Sequence, residues 1–104
     1  MMKKSGFDTI REKVIAGNYQ ISVHALRRMR SRQITIADIE HAIIHGRIIM
    51  GDINAKPYPK CIFLGEDPVK GETLHVICSL NPQVMLVTVY FPDEELWSKD
   101  EYRK

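Results

Sequence analysis

The chain has 104 residues, 44% of them apolar and 27% charged, with a formal net charge of +2. That length fits one domain, 1–104, able to bury a core without a metal or a disulfide, and the composition excludes a disordered or fibrous protein. The longest apolar run, Val84 to Val87 with Val89 to Phe91 after Thr88, falls far short of the roughly 18 residues a membrane span requires, and no signal-like apolar stretch follows the basic N-terminus, so a cytoplasmic location is expected.

Phe7, Ile10 and Val14 mark a first helix from Ser5 or Gly6 to Ala16, with Gly17 just past its end. After a short connection, Ser22 is an N-cap for a second helix. The stretch Ile21 to Arg32 holds four arginines, His24 and no acid. At about 100° per residue it gathers Val23, Ala25, Leu26 and Met29 on one side and His24, Arg27, Arg28 and Ser31 on the other. Thr35-Ile36-Ala37-Asp38 has the form of a capping box and opens a third helix that should stop at Gly46, with Ile36, Ile39 and Ile43 toward the core. Beyond Gly46 the pattern becomes short apolar runs bounded by Gly, Pro, Asn and Asp, which predicts strands at Arg47 to Asp52, Lys60 to Leu64, Thr73 to Leu80 and Val84 to Phe91. Short links favour an antiparallel meander. The expected fold is therefore α+β: three N-terminal helices packed on one face of a four-stranded antiparallel sheet. Its core covers about residues 5–91, and a charged tail, 92–104, carries Trp97 and Tyr102.

The charge is polarised: residues 1–50 carry nine basic and four acidic side chains, the remainder six and nine. A cationic first half suits an anionic partner. Cleavage of RNA without a metal needs a base for the 2′-OH proton, a cation for the charge building on the phosphate and an acid for the leaving 5′-oxygen. His24 with Arg27 and Arg28 puts an imidazole and guanidinium groups on one helical face. Strand alternation would bring His75, Ser79, Thr88 and Tyr90 together on the open face of the sheet, with His75 a second proton-transfer group and Tyr90 a hydrogen-bond donor. The bland alternative is a basic helix face that is merely solvated, with His75 a half-buried structural histidine. His41 and His45, spaced i, i+4, could hold zinc but lack a third ligand, so no metal and no cofactor are expected. Cys61 and Cys78 read as buried reduced thiols.

Ile21-Ser22-Val23-His24-Ala25-Leu26-Arg27-Arg28-Met29, Arg32-Gln33-Ile34-Thr35, Leu74 to Cys78 and Val87-Thr88-Val89-Tyr90, with Pro92 and Trp97, resemble domain of unknown function family 4258. The resemblance covers about residues 19–97. It implies a likeness to the fold of barnase, colicin-type and RelE-type ribonucleases, with RNA received on the open sheet face, and a partner in the form of a small zinc-finger antitoxin-like protein. It places His24, Arg28, Arg32, Thr88 and Tyr90 at motif positions, and puts Gln33 where many members have glycine. The function expected is a metal-independent endoribonuclease, the toxin of a toxin and antitoxin pair. The alternative is a non-catalytic nucleic-acid-binding or protein-interaction domain.

Overall fold

The computed structural model describes residues 7–80 and 83–92. The tail with Trp97 and Tyr102, the helix start at Ser5 or Gly6 and the Asn81-Pro82 half of the last turn lie outside the described residues. Eight elements follow one another: α1 Asp8–Ile15, β1 Gln20–Ile21, α2 Val23–Arg32, α3 Ile36–His45, β2 Arg47–Asp52, β3 Lys60–Glu66, β4 Thr73–Leu80 and β5 Val84–Tyr90. The expected four-stranded antiparallel sheet is corrected by this order. The sheet has five strands, ordered β1-β5-β4-β3-β2, and is mixed, because β1 pairs with β5 in parallel. Gln20 and Ile21, read from the sequence as a connection, add a strand between α1 and α2, so the helices do not form one N-terminal block. The RelE- and barnase-like arrangement expected with four strands is not the one found.

Local chemistry explains the helix boundaries. Gly17, at φ 74°, closes α1: its N–H donates to Val14 and that of Asn18 to Lys13, the paired bonds of a Schellman cap. In α3 the capping box is present in full, Thr35 Oγ1 accepting from the Asp38 N–H and Asp38 Oδ2 from the Thr35 N–H. Between α2 and α3, Gln33 adopts the left-handed conformation, φ 57° and ψ 42°, one that glycine enters without cost. At the far end of α3, Arg11 donates from Nε to Ile43 O and from Nη2 to Gly46 O, both at 3.0 Å. The first helix thus satisfies terminal carbonyls of the third.

One core lies between the helices and the sheet. It joins Ile10 and Val14 of α1, Met29 of α2, Ile39, Ala42 and Ile43 of α3, and the inward residues Cys61, Phe63, Leu74, Val76, Cys78, Val84, Leu86 and Val89. Ile36, expected in this core, is a surface residue at the N-terminal end of α3. Cys61 and Cys78 face each other across β3 and β4 as free buried thiols, and burial pushes Cys61 up to about 12.

The turn between β3 and β4 is built on a buried carboxylate. Asp67 accepts backbone N–H bonds from Val69 and Lys70 on Oδ1 and from Glu72 on Oδ2, and these bonds hold its pKa below the ordinary value. Asp67→Ala should lower stability by about 2 kcal/mol, because three loop donors lose a charged acceptor. Urea unfolding should show a lower midpoint at an unchanged slope.

Candidate functional site

The second helix begins where the short β1 ends. Ser22 N–H donates to Leu86 O at 3.0 Å, its hydroxyl donates to Val87 O at 2.6 Å, and the same oxygen accepts from Ala25 N–H at 2.9 Å. One serine therefore caps the helix and anchors it to β5. At the other end, Gln33 and Ile34 share a cavity of about 400 Å³ with Leu74 and Phe91. β1 pairs only with Met85 and Leu86, and α2 packs against β5, the strand to which Ser22 ties it.

Only a narrow stripe of α2, Ala25 and Met29, is buried; Val23 and Leu26, expected with them, are exposed at 63% and 42%. A helix at the margin of a sheet meets the core along one line rather than a broad face. His24, Arg28 and Arg32, spaced i, i+4, i+8, border that line on one side, while Leu26 and Arg30 border it on the other. Arg28 is half-buried, and His24, Arg27, Arg30 and Arg32 are exposed. The helix contains no acid, and His24 and Arg32 lie about 12 Å apart along its axis.

The strand residues group as alternation predicted, with a change of phase inside β5. Tyr90 lies opposite His75 and Thr88 opposite Ile77, but Cys78 pairs with Leu86, so Val87 is an extra residue in a bulge. Val84 and Leu86 therefore point to the core beside Val89, and Met85 shares the other face with Thr88 and Tyr90. The bulge carbonyl of Val87 is the acceptor for the Ser22 hydroxyl. Bulge and helix cap thus fix each other.

The face carrying His75, Ser79 and Tyr90 was expected to be open. Instead His75 is fully buried, Tyr90 is 6% exposed and Ser79 is 7% exposed. The rings of His75 and Tyr90 meet edge to face with centroids 5.4 Å apart. Burial holds His75 down at about 4, so at neutral pH it is uncharged and a poor proton donor. Thr88 Oγ1 is enclosed and has no hydrogen-bond partner among the described residues. The structure thus brings His75, Tyr90 and Thr88 together on two adjacent strands, and His24, Arg27, Arg28 and Arg32 together on α2, which packs against β5.

The anchoring role of Ser22, the Arg11 cap and the Asp67 turn were not read as such from the sequence. Asp67-Pro68 followed by Lys70-Gly71 was the one available signal, a turn pattern in which an Asp side chain accepts from the backbone that follows it. A family model described as Domain of unknown function (DUF4258) matches residues 21–91. No curated protein and no solved structure matches the chain.

Proposed function

The chain belongs to the family of domains of unknown function DUF4258, and from the surface built by its α2 we propose that it is a metal-independent endoribonuclease, the toxin of a toxin and antitoxin pair. The observation that carries the reading is the stripe of His24, Arg28 and Arg32 along a helix without acids, which Ser22 anchors to β5 at Val87. Guanidinium groups bind phosphate oxygens bidentately and keep their charge at every relevant pH. His24 takes the 2′-OH proton as the 2′-oxygen bonds to phosphorus, and the P–O5′ bond breaks. The same proton then passes to the departing 5′-oxygen, leaving a 2′,3′-cyclic phosphate and a 5′-hydroxyl. Arg28, with Arg27 and Arg32, stabilises the charge on the non-bridging oxygens. Thr88, whose hydroxyl is enclosed, and the buried Tyr90 and His75 support β5 and β4 through packing rather than by touching the RNA.

The exposure of a single imidazole on this surface, with His75 neutral and buried, favours a second reading: a module that binds RNA through α2 without cutting it. Incubation with single-stranded RNA separates the two. The first predicts 2′,3′-cyclic phosphate ends, with His24→Ala and Arg28→Ala each slowing cleavage by about 10²-fold or more. The second predicts intact RNA at every pH and a salt slope of binding that drops by about 0.7 for each arginine removed. Cleavage unaffected by both substitutions sinks the nuclease assignment, and binding unaffected by them sinks both.

A further inference from the structure

At the C-terminal end of α3, His41 and His45 stand one turn apart with ring centroids 4.6 Å from each other. His41 Nδ1 lies 2.9 Å from the carbonyl oxygen of Glu66. A carbonyl can only accept, so Nδ1 carries the proton and Nε2 of the neutral ring keeps its lone pair. Metal-binding histidines are commonly held in this way, the far nitrogen fixed by a backbone carbonyl. Both rings line a cleft of about 340 Å³, with Arg47, Glu66 and Thr73 also in its wall.

We propose that His41 and His45 form a binding site for a borderline divalent ion of the zinc class. Two histidines at i and i+4 on one helical face reach a single ion, and imidazole is a preferred donor for zinc, nickel and copper. The charges around the cleft are of both signs, so selection rests on the two imidazole donors. The last turn of a helix presents the negative end of its dipole, which Arg11 partly offsets through its bonds to Ile43 O and Gly46 O, and Glu66 lines the cleft with its backbone carbonyl on His41. Arg47 is the one guanidinium in the cleft lining and is exposed. Among the described residues no group of three or more His, Cys, Asp or Glu gathers around a common point, so those residues supply two ligands, His41 and His45. The two thiols do not compete, since both are buried in the core.

The site is remote in sequence from α2 and does not depend on the proposed nuclease reading. Its test is a titration of the full chain with zinc chloride, followed by NMR of the histidine side chains. The ring signals of His41 and His45 should move together and saturate at one ion per chain. His45→Ala, which leaves the bond from His41 to Glu66 in place, should weaken zinc binding about tenfold or more, as should His41→Ala. His24→Ala should bind zinc as the parent does. Rings that stay unmoved at millimolar zinc, or a His41→Ala/His45→Ala protein with the parent's affinity, would overturn the proposal.

Discussion

Acidification from pH 6.5 to pH 4 is expected to remove about 3 kcal/mol of folding stability through His75 alone. The ring is fully buried in β4, and desolvation lowers its pKa from 6.5 to about 4. In the unfolded chain the same ring takes a proton near 6.5. Between these values the unfolded state holds more protons than the folded one, so stability rises with pH across the window. The contribution is complete above pH 6.5, is lost as the pH falls through the window, and stays lost below about pH 4. A slope of about 1.4 kcal/mol per pH unit gives the total. Asp67 has the same sign in a lower window: its depressed carboxyl stabilises above the ordinary value of 3.8, and that stabilisation fades as the pH falls below it. Urea unfolding of the protein and of His75→Phe at pH 7, 5.5 and 4.5 separates the two groups. Phenylalanine keeps a ring against Tyr90 and cannot titrate, so the difference between the two proteins should shrink or reverse as the pH falls. A constant difference would show that His75 is not the group responsible.

That behaviour also defines what His75 can contribute to chemistry. A histidine uncharged down to about pH 4 orients and packs better than it donates a proton, which leaves His24 as the exposed imidazole beside the arginines.

Much of this architecture is legible in the sequence because its signals are local. Thr35 and Asp38 specify a capping box within four residues, Gly17 specifies a helix end, and the alternation in Thr73–Leu80 assigns each side chain to a face. The features that escaped depend on partners distant in the chain. Gln20–Ile21 has too few residues to show a period, and becomes a strand because β5 offers Met85 and Leu86 in parallel register. The Val87 bulge leaves no mark in a uniformly apolar run, so the phase of β5 could not be read before its pairing with β4 was known. Periodicity also overstated the buried side of α2: Val23 and Leu26 are apolar and correctly phased, yet the helix lies at the margin of the sheet and only Ala25 and Met29 reach the core. Among the candidate site residues, the grouping of His24, Arg27 and Arg28 follows from helical spacing alone, whereas Arg32 was added through the family resemblance. The burial of His75 and Tyr90 required the whole fold.

The largest effect on folding is expected at Gly65, where Gly65→Val should destabilise the protein by about 3 kcal/mol or more and leave little folded chain at 37 °C. A Cβ built on Gly65 would come under 3.0 Å from the carbonyl oxygen, Cα and Cβ of Ala42, and two of those three atoms are backbone. Gly46, the residue that ends α3, meets the same carbonyl and that of Leu64. Three small residues therefore allow the last turn of α3 to lie directly on β3, so the two backbones approach with no side chain between them. A rotamer change cannot relieve a clash with backbone; helix and strand must separate, and Phe63, Ile43 and the Arg11 bonds to Ile43 and Gly46 would lose their fit with them. The double-mutant cycle of Gly65→Ala and Ala42→Gly checks the cause. If the contact is responsible, Ala42→Gly should recover part of the loss, because it removes the one side-chain atom of the three. Recovery should stay incomplete, because the Ala42 Cα and carbonyl remain. Strict additivity of the two substitutions would mean that the closeness of α3 and β3 does not limit stability. The same contact holds the turn bearing His41 and His45 against the strand that ends at Glu66, so Gly65→Ala should also weaken the bond between His41 and the Glu66 carbonyl.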